Sequence, residues 1–186
     1  MASSSFATTQ YTSEEFVESS GAILFDFSQA MTRVCLIHYL AKNEWLLAKG
    51  RRNCGEPRLE AALREVHEET GYPCRPYPVT MSTRAPPATE TGSISDQARS
   101  YPGLTDPFML TTREVEAKKA KLIWWYIAEV DKDALGKSGG IHGESDFVAA
   151  FLSCDDALQK LTFEDDRSIL KRAINLVADS PGNSSL

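Results

Sequence analysis

The stretch from Gly50 to Tyr72, GRRNCGEPRLEAALREVHEETGY, constrains this chain more than any other. Pro57 suits the first helical position and Gly71 the left-handed stop that ends a helix, so the residues between them are predicted helical. At about 100° per residue, Leu59, Ala62, Leu63, Val66 and Thr70 fall on one stripe that must face a core. Glu65, Glu68 and Glu69 take the adjacent arc, and Glu60, Arg64 and His67 the other flank. Three carboxylates one turn apart repel one another. They become favourable when they share a divalent cation, because hard oxygen donors are what Mg²⁺ or Mn²⁺ selects. An acidic helix face is more often plain solvated surface, with Glu60, Arg64 and Glu68 an i,i+4 ion-pair ladder. The helix by itself does not decide between the two.

The wider spacing does. Gly50, Glu56, Arg64, Glu65, Glu68, Glu69 and Gly71 stand in the pattern G-x5-E-x7-R-E-U-x-E-E-x-G-U, with U a bulky aliphatic residue. Seven specified positions at roughly 6–7% usage each make a chance match on the order of one in a million. The segment resembles the signature of the Nudix hydrolase family. The approach to it (SSGAILFDF, VCLIHYL, EWLLAKGRRN) and the later FVAAFL and DDAL resemble the strands and helix that surround the box in that family. Two positions depart from the pattern: Tyr72 stands where an aliphatic residue is usual, and Ala48 where many relatives have proline. Neither removes a carboxylate.

The resemblance implies an α/β (α+β) fold, a Nudix-type α/β/α sandwich with a mixed sheet. It also implies Mg²⁺- or Mn²⁺-dependent hydrolysis of a phosphoanhydride. The chemistry is consistent with the residues: cations bridging helix carboxylates and phosphates neutralise developing charge and acidify bound water. Carried onto this sequence, Glu65 and Glu69 are the metal ligands, with the Lys49 carbonyl as a further one. Glu68 is either a ligand through water or the general base, and Arg64 and Glu56 orient the others. Relatives often recruit one more acid from a later loop, for which Glu144 is the choice and Asp146 and Glu116 the rivals.

Charge narrows the substrate. The chain has 186 residues, 20 Lys+Arg against 26 Asp+Glu and a net charge of −6, which discourages a nucleic-acid coat. Basic residues nevertheless gather around the box: Lys42, Lys49, Arg51, Arg52 and Arg58 before it, and Lys118, Lys119 and Lys121 before a strong strand. Lys42, Arg51, Arg52, Lys118, Lys119 and Lys121 are therefore candidate substrate contacts for a small polyphosphate. The KGRRN loop also resembles that of the diphosphoinositol polyphosphate and diadenosine polyphosphate hydrolase branch. That resemblance places inositol pyrophosphate first, diadenosine polyphosphate second, and ADP-ribose, NADH or mRNA-cap pyrophosphatases after them. A catalytically silent polyphosphate-binding module would have lost box carboxylates, and none is lost.

One domain is expected over 20–179, after a loose arm at 1–19 and before a tail at 180–186, with 82–107 a long Pro/Ser/Thr/Gly-rich loop. Strands are expected at Gly21–Phe27, Arg33–Leu40, Glu44–Ala48, Leu122–Val130 and Phe147–Leu152, and late helices at Asp155–Leu161 and Glu164–Ala178. The four cysteines lack metal-ligand spacing and read as free thiols. No secretory signal or membrane-length apolar run is seen, so a cytoplasmic protein is expected, with the nucleus as an alternative. The sequence gives no indication of oligomeric state.

Overall fold

In the computed structural model, which describes residues 6–87, 95–116, 119–134 and 146–180, ten strands and three helices follow one another. They are β1 (Phe16–Asp26), β2 (Arg33–Tyr39), β3 (Glu44–Leu46), β4 (Lys49–Arg51), α1 (Arg58–Thr70), β5 (Cys74–Pro76), β6 (Val79–Thr83), β7 (Arg99–Leu104), β8 (Met109–Glu116), β9 (Lys119–Val130), β10 (Phe147–Ser153), α2 (Cys154–Lys160) and α3 (Glu164–Ala178). β1 is the spine of a mixed sheet. It runs parallel to β9 from Phe16↔Ala120 to Phe25↔Glu129, and antiparallel to β2 and β4 on its other side. The order across the sheet is β10-β2-β1-β9-β5, with β3 on β2, β4 on β1 and β8 on β9.

Alternation along these strands makes two cores. Ile23, Phe25, Ile123, Trp125 and Ile127 pack with Ala157 of α2 and Leu170, Ala173 and Val177 of α3. Ala22, Leu24, Tyr126 and Ala128 pack on the opposite face against Ala62 and Val66 of α1. The result is the α/β/α sandwich expected. No helix among the described residues is long and apolar enough to cross a membrane.

Several boundaries differ from those read off the sequence. The arm is shorter, because Phe16 to Ser19 already belong to β1. Glu18, Ser19 and Ser20 are polar, which masks the strand, yet Ser19 and Ser20 are fully buried between β4 and β9. The 82–107 stretch is not loop throughout: β7 pairs with β6 through Met81↔Tyr101, Ser82↔Ser100 and Thr83↔Arg99, while 88–94 lie outside the described residues. Pro102 and Gly103 (φ 72°) look like breakers, but a two-stranded ribbon tolerates them because each strand has a free edge. β8 follows in a polar stretch with no clear period. Ser180 is no tail residue, since its Oγ donates to the Leu176 carbonyl (2.7 Å) and accepts from the Thr80 N–H (2.9 Å). Pro57 caps α1 in extended conformation (ψ 143°) rather than opening it as first helical residue.

The four cysteines are free. Burial pushes the Cys35 and Cys74 thiols up to about 12, so both stay protonated near neutrality.

The turn between β1 and β2 is held by a buried charge. Asp26 is fully buried, accepts from the Ser28 N–H (2.8 Å) and pairs with Arg33. Burial alone would raise its carboxyl, but the Ser28 and Arg33 contacts outweigh burial and hold it below the usual carboxylate value. A depressed carboxyl stabilises the fold above its unfolded pKa, and that contribution is lost as pH falls through the folded value. We therefore predict that Asp26→Asn flattens the acid side of the thermal-stability profile below about pH 4. Asp26→Ala, which leaves the Ser28 N–H without its acceptor and the partly exposed Arg33 unpaired, should cost roughly 1–3 kcal/mol in denaturant titration at pH 7.

Candidate active site

α1 is short of side-chain caps at its start and ends on Gly71, which adopts φ 75° and donates its N–H to the His67 carbonyl (2.8 Å). Ala61, Ala62, Val66 and Thr70 are its buried residues. This core stripe fixes the helix rotation and turns Glu65 and Glu69 toward β4. The contact at Gly50 is unusually close: a Cβ there would stand 1.8 Å from Glu65 Oε2 and 2.1 Å from its Cδ. Only glycine leaves room for that carboxylate. Glu69 Oε2 accepts the Lys49 N–H (2.8 Å), which also brings the Lys49 peptide to the same corner.

Arg64 organises the rest. Its Nε and Nη2 hold the two Glu56 oxygens (2.8 and 3.1 Å), and its Nη1 donates to Glu65 Oε1 and Glu68 Oε2, both at 2.8 Å. Nη2 also reaches the Arg51 carbonyl (3.0 Å). The Arg64 contact, together with the Asn53 N–H, pulls the Glu56 carboxyl down to about 2. Glu69 behaves oppositely. Burial pushes it up to about 7, the Glu65 and Glu68 charges add to the rise, and the Lys49 N–H opposes it.

Among the described residues no three His, Cys, Asp or Glu side chains converge on one point, because Arg64 takes Glu65 and Glu68 while Lys49 takes Glu69. The donor set nonetheless fits a divalent cation: hard carboxylate oxygens, a cradle at Gly50 cleared for one of them, and a partly buried Glu69 that faces like charges. Glu65, Glu69 and the Lys49 corner are the residues positioned to hold it.

The other expected residues divide. Lys121 of β9 is half-buried; burial, then the charges of Lys49, Arg113 and Arg51, hold its ammonium below the usual value. Lys49, Arg51 and Lys121 thus belong to one cationic group. Arg52 does not join it freely: its Nε donates to Glu18 (2.9 Å) and its Nη1 to the Glu56 carbonyl (2.9 Å). Lys42 lies in the β2–β3 turn with its ammonium over the Tyr39 ring. Lys119 is paired with Glu116 (2.7 Å) at the exposed β8–β9 turn, which occupies that rival acid as well. Asp146 is exposed just before β10, and its carbonyl accepts from the Leu40 N–H (2.8 Å). Glu144 and Lys118 lie outside the described residues.

Glu18 has no counterpart among the expected site residues. From β1 it grips Arg52 and Arg58 (2.6 Å to Nη2) and accepts the Trp124 indole N–H (3.0 Å), while Arg58 stacks over that indole. It fixes the loop before α1 from below. In the sequence it is one of three successive polar residues, Glu18 to Ser20, at the start of β1, with no local signal that sets it apart.

The NUDIX domain pattern matches residues 16–173. The chain is 26% identical over 179 residues to an 8-oxo-(d)GTP phosphatase of Mycolicibacterium smegmatis (strain ATCC 700084 / mc(2)155), covering 90% of this chain but only 44% of that protein's length. Among solved structures, the NUDIX domain of Shewanella oneidensis NrtR complexed with ADP ribose superposes with a TM-score of 0.58 at 16% identity, covering 90% of this chain and 94% of that one. A C. elegans Ap4A hydrolase gives 0.52 at 14% identity, covering 87% and 98%. At such identities the structural likeness speaks for the fold, and it agrees with the box geometry and the sequence pattern: the chain belongs to the NUDIX domain family.

Proposed function

We propose that this chain is a Mg²⁺-dependent pyrophosphohydrolase whose substrate is a polyphosphorylated small molecule. The observation that carries this reading is the corner where the Glu65 carboxylate lies over Gly50 and Glu69 meets the Lys49 N–H, with Lys49, Arg51 and Lys121 around it. A divalent ion bound by Glu65, Glu69 and the Lys49 carbonyl would supply Lewis-acid stabilisation of the phosphates and acidify a water. The chain's own residues do the rest. Arg64 holds Glu65 in place through a bidentate anchor on Glu56. Glu68, the more exposed carboxylate of the Arg64 group, takes the proton from the attacking water in this reading, and its exposure supports the role. Lys49, Arg51 and Lys121 neutralise the phosphate chain.

Nucleoside polyphosphates take first place as substrate, because the relative with the higher identity is an 8-oxo-(d)GTP phosphatase and its match covers most of this chain. Inositol pyrophosphate is the second reading, favoured by the concentration of cations beside the box. The KGRRN loop supports either.

With Mg²⁺ present, a panel of nucleoside triphosphates, 8-oxo-dGTP, diadenosine polyphosphates, ADP-ribose, NADH, capped RNA and inositol pyrophosphates should yield at least one good substrate. Chelation should abolish turnover and added Mg²⁺ restore it. Glu65→Gln and Glu69→Gln should each lower kcat by more than about 100-fold, beyond the usual loss for an outer-shell partner. No turnover anywhere in the panel, or a Glu69→Gln enzyme as active as the parent, would sink the reading. Gly50→Ala should behave like a ligand mutation although it touches no donor atom. Its Cβ must displace the Glu65 carboxylate, so Mn²⁺ affinity, followed by electron paramagnetic resonance, should weaken at least about tenfold while the circular dichroism spectrum is retained.

A further inference from the structure

β1 turns Glu18, Ser20, Ala22 and Leu24 to the α1 side of the sheet, where Ala22 and Leu24 join the core beneath Ala62 and Val66. Ser20 interrupts that core. It is fully buried, and its Oγ has no hydrogen-bond partner among the described residues. Buried hydroxyls without partners are rare in folded proteins and call for a specific explanation. Alanine would fill the same place without the cost of burying a hydroxyl.

The neighbours in register narrow what that hydroxyl can serve. Ser20 lies between Gly50 of β4 and Trp124 of β9. Trp124 directs its indole N–H to Glu18 and is covered by Arg58, so its side chain offers Ser20 no acceptor. Glu18, next along the same face, already receives Arg52 on Oε2 and both Arg58 and Trp124 on Oε1. Gly50 has no side chain, but the Glu65 carboxylate fills the place its Cβ would take. Facing side chains of an antiparallel pair stand about 4.5–5.5 Å apart at Cβ. The Glu65 carboxylate is therefore the cross-strand neighbour of Ser20, although it comes from a helix. Its Oε1 accepts from Arg64 (2.8 Å), whereas Oε2, the oxygen nearest the Gly50 Cβ position, accepts from no donor among the described residues. A donor and an acceptor, each without a partner, thus share one row of the sheet.

We propose that Ser20 is a positioning residue for Glu65: its hydroxyl donates to Glu65 Oε2 and sets which way that carboxylate faces when it shares a divalent cation with Glu69. Serine has three staggered positions for its Oγ, and a turn of Oγ or of the carboxylate closes the bond. A hydrogen bond to an ionised carboxylate is among the stronger ones, and outer partners of this kind fix the orientation of metal ligands. Arg64 then holds Glu65 from the helix and Ser20 holds it from the sheet. The role rests on the reading of this corner as the cation site of a pyrophosphohydrolase, and it adds to that site a residue from outside the box.

The test is Mn²⁺ titration of the full chain without substrate, followed by electron paramagnetic resonance, on the parent, Ser20→Ala, Ser20→Cys and Ser19→Ala. Ser20→Ala should weaken Mn²⁺ about tenfold, the loss expected for an outer-shell partner. The same variant should keep or raise the thermal midpoint of the metal-free chain, because a buried hydroxyl without a partner is removed. Ser20→Cys, close to serine in size but a weak donor, should bind like Ser20→Ala. Ser19→Ala should bind like the parent: Ser19 is as buried and its Oγ as unpartnered, but it stands in register with Arg51 and Ile123 on the α3 side. Parental Mn²⁺ affinity in Ser20→Ala or in Ser20→Cys overturns the proposal. So does an equal loss in Ser19→Ala, or a Ser20→Ala chain whose thermal midpoint falls along with its affinity. Mg²⁺-dependent turnover by the parent, with Mn²⁺ bound equally by parent and Ser20→Ala, removes Ser20 from the site and spares the pyrophosphohydrolase reading. Weakened Mn²⁺ in Ser20→Ala, without turnover of any substrate by the parent, supports the positioning role and removes that reading. A parent that binds no Mn²⁺ overturns both.

Discussion

Arg64 donates five hydrogen bonds, to both oxygens of Glu56, to Glu65, to Glu68 and to the Arg51 carbonyl, and the geometry of the cleft depends on that one guanidinium. Without it, α1 would present acids that repel one another on a helix whose core stripe is made mostly of small side chains. With it, the loop carbonyl, the loop acid and the helix acids are held in a single plane-directed fork, a geometry that lysine cannot reproduce. A second tier supports the first. Glu18 grips Arg52 and Arg58 from the strand below, and Arg52 in turn holds the Glu56 carbonyl. The loop is therefore tied to β1 and to α1 at once, and Gly50 is kept where Glu65 can lie over it.

How much of this was legible in the sequence depended on whether the relevant contacts were local. α1 showed itself through its period, and the box through seven spaced positions that all lie within one loop and one helix. Glu18 did not, because its partners lie 34, 40 and 106 residues away and nothing in the local pattern links them. Counting nearby cations gave Lys42 and Arg52 the same weight as Arg51 and Lys121, yet sequence proximity says nothing of direction. The Tyr39 ring and Glu18 occupy those two instead. β7 was hidden by Pro102 and Gly103, residues that break central strands but not a ribbon edge. Asp166 was hidden differently: next to Glu164 and Asp165 it reads as one more acid favoured by the helix dipole, and only the packing of α3 shows that it alone of the three is buried.

The sheet divides the chemistry between its two faces, and β4 is where they communicate. Gly50 turns toward α1 and receives Glu65, while Lys49 and Arg51 on either side of it turn toward α3. The Lys49 backbone N–H meets Glu69, and its side chain joins the cations on the other face. A three-residue strand thus sets carboxylates on one face and ammonium groups on the other, close enough that Lys49 lowers the Glu69 carboxyl and Glu65 raises the Lys121 ammonium. A net charge of −6 therefore does not count against the polyphosphate substrate proposed. Total charge governs attraction at distances beyond the Debye length, about 8 Å at physiological salt, whereas a bound phosphate responds to the groups inside it. Two uncomfortable groups of the α1 side, Glu69 with its raised carboxyl and Ser20 with a hydroxyl left unpartnered, both border the corner at Lys49 and Gly50. Each is costly to the folded chain on its own, and each would become favourable with a cation in that corner: Glu69 by its charge, Ser20 through the Glu65 carboxylate beside it.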